Sequence, residues 1–379
     1  MTRRYRPLIA ALIGTLFAGA AAADINIGVS LALTGPGSGL GIPMHNQFKL
    51  FPKQIAGEKV NLIILDDATD PSKGVGNARR FVTEDKVDMI IGSCITTVAA
   101  AMAPVATEAK TVQLAASPVG LPPGQDDWVY RLPQGNNVMA HAVVEHMKKQ
   151  GVKTIGFLGY TDVYGELWLK ALTPLAEQAG MKVVAVERFA RTDTSVTPQA
   201  LKLVAANPDA MLVVASGSGA AMPHKAIVER GFKGKIYQTH AAATPDLMRI
   251  GGKDVEGSFV VSGPAVVGEQ LSEAHPSKKI AMQFVADYEK VYGVGSRNQF
   301  AGHAYDAAIV LEKAVPMALK KAKPGTPEFR AALREAMETM GRTVLAHGVM
   351  NWNAKDHWGY TNETGVMLKV AGGKFVVEK

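Results

Sequence analysis

One cysteine in 379 residues excludes a disulfide framework and any zinc site built on clustered thiolates. Charge is sparse as well: Asp, Glu, Lys and Arg make up 20% of the chain, against 47% hydrophobic residues and 7% aromatic ones. With a mean hydropathy near zero, that balance rules out a disordered chain, which lacks apolar residues to fold, and a multi-span membrane protein, which has too many. Also missing are H-E-x-x-H, a Walker lysine, a G-x-S-x-G elbow and carboxylates paired at acid–base spacing. No residues are left to carry an enzymatic reaction. His141 and His146 flank Glu145, but five residues along a helix turn them about 140° apart, so they cannot share a metal ion. The length is two domains' worth, with enough apolar content to bury a core.

The formal charge of +7 suggests nucleic acid until its placement is read. Arg3, Arg4 and Arg6 precede an apolar run over 8–22, too short to span a bilayer comfortably, which ends in small residues just before Asp24. This is the pattern of a secretory signal peptide over 1–23. Without those three arginines, 38 basic residues face 34 acidic ones and lie scattered along the chain, so nucleic acid is not an expected partner. No cysteine stands at the cleavage point to accept lipid, and no later run is apolar enough to stop transfer. The exported product is therefore expected to be soluble in a periplasm and not a lipoprotein. Cys94 is then a lone thiol, read as a small buried hydrophobe in preference to a reactive group.

From Asp24 onward, short β-rich runs alternate with helical ones, the pattern of parallel sheets with helices on both faces. Strands are predicted over 25–30, 59–65, 87–91 and 111–114, with helices over 44–55, 72–84 and 97–108. A turn-rich passage over 117–127, with Pro118, Pro122, Pro123 and Gly124, ends this first lobe. The alternation then restarts, with strands over 154–158, 182–186, 210–214 and 235–238 and helices over 138–150, 164–179, 199–205 and 220–230. VDMIIGS (87–93) and DAMLVVAS (209–216) each read as a buried strand entering a small-residue loop and a helix, which suggests two lobes of one architecture. After Pro264 the chain is mainly helical (280–292, 302–322, 326–340) and ends in strands near 349–352, 365–370 and 374–377. The late helices are expected to complete the first lobe and the last strands the second.

In such sheets, ligands sit beyond the carboxyl ends of the strands, where helix N-termini attract anions. LTGPGSGLG (33–41) reads either as bare backbone beside a ligand or as plain turn chemistry; its glycine spacing does not fit a nucleotide loop. GSCITT (92–97) offers hydroxyls that cap the next helix or share that cap with a carboxylate. ASGSG (215–219) is its counterpart in the second half. DDATDPSKG (66–74) looks like a metal loop, but Asp70 followed by Pro71 reads better as the N-cap and first residue of a helix, and no calcium pattern is present.

Taken together, LTGPGSGLG, DDATDPSKGVGNARRFV, IIGSCITT, DVYGE, NPDAMLVV, ERGFKGKIY and MNWNAKDHWGY, in that order between Ile25 and Phe375, resemble the leucine/isoleucine/valine-binding family of type I periplasmic binding proteins of ABC transporters. The resemblance implies two Rossmann-like lobes, each a parallel sheet with helices on both faces, joined by a three-segment hinge and closing on a small ligand. Lobe I would comprise 24–131 and 264–348, and lobe II 132–263 and 349–379. It also implies no cofactor, no metal and no catalysis, with permease and ATPase subunits of the inner membrane as partners.

At matching positions, the resemblance puts the carboxylate-receiving hydroxyl on Thr96 and the partner loop on Ala116 and Ser117. It puts the covering tyrosine on Tyr164 and a pocket wall on Leu40. Cys94 and Thr97 belong to the same loop as Thr96. Two positions depart from amino-acid binders: an aromatic is replaced by Ser216, and the acid that pairs with the ligand's ammonium is replaced by His240. An ammonium without that partner would lose a charge-assisted bond in a dry cleft, a cost of about 1.5–3 kcal/mol. The chain therefore resembles the branch that binds carboxylates without an amino group, aromatic acids among them. His240 then reads as a neutral donor to a ring hydroxyl or as a packed hinge residue. A branched-chain amino acid receptor, marked by an acid such as Glu166 near the ammonium, and a ligand sensor for a membrane receptor are the alternatives.

Overall fold

The structure, a computed structural model, describes residues 24–378; the signal peptide expected over 1–23 lies outside them. Two sheets organise the chain. The first holds β1 (Ile25–Leu31), β2 (Gln54–Ile55), β3 (Glu58–Asp66), β4 (Met89–Gly92), β5 (Val112–Ala115) and β6 (Val129–Arg131), in the order β2-β3-β1-β4-β5-β6. The second holds β7 (Thr154–Tyr160), β8 (Lys182–Phe189), β9 (Ala210–Val214), β10 (Lys235–Gln238), β11 (Phe259–Ser262), β14 (Val366–Ala371) and β15 (Lys374–Val377), in the order β15-β14-β11-β10-β9-β7-β8. A hairpin of β12 (Thr343–Leu345) and β13 (Gly348–Met350) stands apart.

With the antiparallel strands set aside, both sheets have one order: the second parallel strand, then the first, third, fourth and fifth. The strand order reverses beside β1 in one lobe and beside β7 in the other, and each reversal opens a crevice at the strands' carboxyl ends. Central strands β4, β5 and β9 are buried at every residue, as strands covered on both faces must be, whereas the edge strand β8 is half exposed.

Helices α1 (Ser38–Phe48), α2 (Pro71–Thr83) and α3 (Thr96–Glu108) connect strands of the first sheet, and α4 (Asn136–Lys149) leads into the second. There α5 (Val163–Gln178), α6 (Thr197–Ala205), α7 (Ala221–Glu229) and α8 (Pro245–Gly251) play the same part. Of the late helices α9 (Lys278–Tyr292), α10 (Gln299–Leu319) and α11 (Pro327–Thr339), α10 packs on α1 and α11. The chain thus passes between the sheets after β6, after β11 and after β13. These passages are tied together: Gln134 Nε2 donates to the carbonyl of His347 at 2.7 Å, and Gly263 lies so close that a Cβ there would stand 2.4 Å from the same nitrogen.

Several local expectations are corrected. The helix predicted over 44–55 begins at Ser38 and ends at Phe48, so the second half of the glycine-rich segment is helix. Its Gly41 allows the helix to pass the end of β1, since a Cβ would come 2.1 Å from the carbonyl oxygen of Ala32. Gly165 does the same in the second lobe, with a Cβ 1.9 Å from the carbonyl oxygen of Tyr160. Residues 54–55 form a short strand, turned back on β3 through Ala56 and Gly57, both at positive φ. The sheets are mixed and not purely parallel: β14 runs antiparallel to β11, and β15 runs antiparallel to β14 because a Gly372–Gly373 turn, and no helix, joins them.

Candidate functional site

Loops at the carboxyl ends of both sheets meet around one small, tightly closed cavity. Leu40 comes from the start of α1, Cys94 and Thr96 from the β4–α3 turn, and Ala116, Ser117 and Pro118 from the end of β5. The second lobe supplies Tyr164 after β7, Arg191 after β8, Ser216 after β9, and His240 and Ala241 after β10. Pro133, Gln299, Phe300 and His303 complete the lining from the hinge side. The lobes are shut over it: a Cβ on Gly217 would stand 2.9 Å from Leu40 Cδ1, and one on Gly120 would stand 3.2 Å from Leu167 Cδ2.

The first-lobe wall is built around the N-terminus of α3. Asp67, fully buried, accepts from Ser93 Oγ at 2.7 Å and Ser30 Oγ at 3.2 Å, and Ser93 Oγ accepts in turn from the backbone N–H of Ile95. These bonds fix the turn that presents Thr96. The N-cap position is Ile95, which has no side chain able to cap, so the first N–H groups of α3 are left for other acceptors. Beside them the buried Ser117 Oγ has no partner. Burial, helped by repulsion from Asp67, pushes the Cys94 thiol up to about 12, so it is a neutral buried group and no nucleophile.

The second-lobe wall contains a charged residue that the sequence reading missed. Arg191 donates through Nε to Asp162 at 2.5 Å and through Nη1 to Ser216 Oγ at 2.9 Å, and its guanidinium lies 4.0 Å from the ring centre of Tyr160. Asp162 uses its other oxygen to cap α5, accepting from the N–H groups of Tyr164 and Gly165. Arg191 is thereby fixed at the cavity, and guanidinium donors are left over. Tyr164 gives its hydroxyl to Thr239 Oγ1 at 2.8 Å, and burial raises its pKa, so it presents a neutral ring to the cavity. Burial, with repulsion from His347 adding, holds His240 down to about 3; it is neutral at pH 7 and its Nδ1 has no partner.

Of the residues expected to bind ligand, Leu40, Cys94, Thr96, Ala116, Ser117, Tyr164, Ser216 and His240 all line this cavity; Thr97 does not. One residue along a helix rotates the side chain by about 100°, which carries Thr97 away from the face that Thr96 presents. Glu166 is also elsewhere, paired at the surface with Arg188 through bonds of 2.5 and 3.1 Å. Among the described residues, no carboxylate lines the cavity. Arg191 was within reach of the strand-end rule: β8 runs on to Phe189, which puts Arg191 just past its carboxyl end. Gln299, Phe300 and His303 follow no strand, and no sequence signal pointed to them. The acidic loop is structural: Asp70 caps α2 through the N–H groups of Ser72 and Lys73, and Asp66 holds the N–H groups of Leu33, Thr34 and Ala68.

Two lobes of like topology, three chain passages between them and a cavity at both sets of strand ends define a type I periplasmic binding protein. The chain belongs to the periplasmic binding protein family, whose model matches residues 24–374. It is similar to an extracellular ligand-binding receptor from Rhodopseudomonas palustris at 48% identity and a TM-score of 0.92, over 94% of this chain and 99% of that one. A Leu/Ile/Val-binding protein homolog 3 from Brucella melitensis is 25% identical over 91% of this chain and 90% of its own. A solute-binding protein of an ABC transporter from Rhodopseudomonas palustris BisB5, in complex with 3,4-dihydroxy benzoic acid, shares the fold at 24% identity and a TM-score of 0.76, over 93% of this chain and 95% of that one. The protein is a periplasmic or extracellular solute-binding protein, and its family binds solutes and is not catalytic. Among the described residues, no helix is long and apolar enough to cross a membrane.

Proposed function

We propose that this protein captures a small carboxylate without an amino group, an aromatic or other organic acid, and delivers it to a membrane permease by closing its lobes. The observation that carries this reading is the charge of the cavity: one fixed guanidinium, Arg191, and no carboxylate among its lining residues. An α-ammonium shut in this space would meet no anion, whereas a carboxylate would find Thr96, Ser117, the free N–H groups of α3 and Arg191. Leu40, Ala116, Pro118, Pro133, Phe300 and Tyr164 supply apolar walls for a ring or short hydrocarbon body. Lobe I is taken as 24–131 with 264–348 and lobe II as 132–263 with 349–379. Ligand would favour the closed state because it touches both lobes only when they are shut.

A branched-chain amino acid is the second reading, favoured by the name of the Brucella relative. It requires a partner for the ammonium, and Glu166 is committed to Arg188. A thermal-shift screen followed by calorimetry separates the two readings. A ligand at a hundred times its dissociation constant adds about 2.7 kcal/mol, several degrees in Tm. Benzoates, phenylpropanoids or aliphatic acids are expected to shift the protein, and leucine, isoleucine and valine to leave it unmoved; a shift with the amino acids alone would reverse the assignment.

A further inference from the structure

One wall of the cavity has more polar capacity than a carboxylate uses. Gln299 is fully buried; its Oε1 accepts from Ser262 Oγ at 3.2 Å, and its Nε2 has no partner. His303 is fully buried and neither ring nitrogen has a partner. His240 adds its own unpartnered Nδ1. All three side chains line the cavity. Buried polar atoms without partners are costly, and such groups in native proteins are met by something.

A metal ion does not fit. His303, Asp306 and His347 lie close together, but the two imidazoles are stacked, 3.9 Å between centres and 20° between planes, so one ion cannot lie in both ring planes. Asp306 is already spent on the N–H of Ala346 at 2.7 Å and on the N–H and Nδ1 of His347 at 3.2 and 2.8 Å. That network locks His347, and His347 holds the His303 ring by its face, leaving the edge of His303 as its polar part.

Burial keeps His240 and His303 well below the ordinary histidine range, with repulsion from nearby histidines adding to it, so both are neutral at pH 7. Each then offers one donor and one acceptor, and Gln299 offers a donor. A hydroxyl group both donates and accepts. A second carboxylate only accepts, and it would bring a charge to a wall without a cation.

Resting on the carboxylate reading above, we propose that Gln299, His303 and His240 read a hydroxyl on the ligand, so that the preferred solute is a hydroxylated acid and, on a ring, a phenolic one. The test compares matched pairs by calorimetry: benzoate against 3- and 4-hydroxybenzoate, 3-phenylpropanoate against its 4-hydroxyphenyl counterpart, and cyclohexanecarboxylate against 4-hydroxycyclohexanecarboxylate. On at least one scaffold the hydroxylated acid is expected to bind tenfold or more tightly, and the ratio is expected to fall toward one in Gln299→Met and in His303→Phe. The two variants change the wall differently, and unliganded melting identifies either one that fails to fold. If every unsubstituted acid binds as tightly as its hydroxylated partner, the carboxylate reading stands and this inference falls, with water filling the wall. If terephthalate binds most tightly, the wall reads a second carboxylate and the inference also falls. Binding of leucine, isoleucine or valine alone overturns both.

Discussion

Replacing Arg191 by glutamine tests the charge argument at its centre. The substitution removes the one cation that lines the cavity among the described residues and leaves Asp162, its partner at 2.5 Å behind that wall, uncompensated. A bound carboxylate loses a charge-assisted hydrogen bond, about 1.5–3 kcal/mol, or roughly 10- to 150-fold in Kd. Leucine's own carboxylate loses the same bond, but the unpaired Asp162 now attracts its ammonium, so the ratio of carboxylate to amino acid affinity should fall as well. The fold should survive. Asp162 keeps its cap on α5, and the lost ion pair and the contact with Tyr160 amount to about 2–4 kcal/mol, several degrees in Tm. Calorimetry on wild type, Arg191→Gln and the double variant Asp162→Asn/Arg191→Gln separates the two effects. The double variant loses carboxylate affinity without gaining amino acid preference, since no stray charge is left. A carboxylate that binds Arg191→Gln within twofold of wild type would refute the reasoning and leave α3 as its sole anchor.

Further outcomes follow from the same geometry. Gly165→Ala would force a Cβ to 1.9 Å from the carbonyl oxygen of Tyr160, and Gly41→Ala to 2.1 Å from that of Ala32; each should cost about 1–3 kcal/mol or more, read as a lowered Tm, with loss of ligand response. His240 is held neutral by burial, its folded pKa of about 3 lying below the unfolded value of 6.5. Its contribution is therefore complete above pH 6.5 and declines as pH falls from there toward 3, because only the unfolded chain takes up the proton. Acid melting curves of His240→Gln should be flatter than wild type across that window, and equal slopes would contradict the burial argument. Cys94, with its thiol at about 12, should resist iodoacetamide at pH 8 in the folded protein and react once guanidinium unfolds it, as mass spectrometry would show.

The repeated architecture was legible because strands covered on both faces are nearly continuous apolar runs, and VDMIIGS and DAMLVVAS fall on β4 and β9 at matching places in the two sheets. Short elements were not. β6 and β11 have only three and four residues, too few to show a period, and β2 depends on Ala56 adopting a positive φ that alanine seldom takes. The start of α1 was hidden by glycines that read as loop. Their purpose is visible only in three dimensions, where Gly41 and Gly165 occupy the same position in two lobes and let the first helix of each cross its own strand end.

The site divides along the same line. Side chains on short turns directly after a strand, Thr96, Ser117, Ser216 and His240, could be placed from the strand-end rule and the family resemblance, because the turn leaves them few directions to point. Arg191 is long, and what aims it is Asp162, 29 positions away in sequence and itself fixed as the cap of α5. No local pattern encodes that pairing. Gln299 and His303 enter from a helix that joins the cavity only after the chain has crossed the hinge twice, and His303 owes its posture to a stack on His347 near the third crossing. The wall that would distinguish one acid from another is thus assembled from the most distant parts of the sequence, while the wall that receives the carboxylate is local. A resemblance resting on local motifs can therefore carry the family across and still miss the residues that choose the ligand.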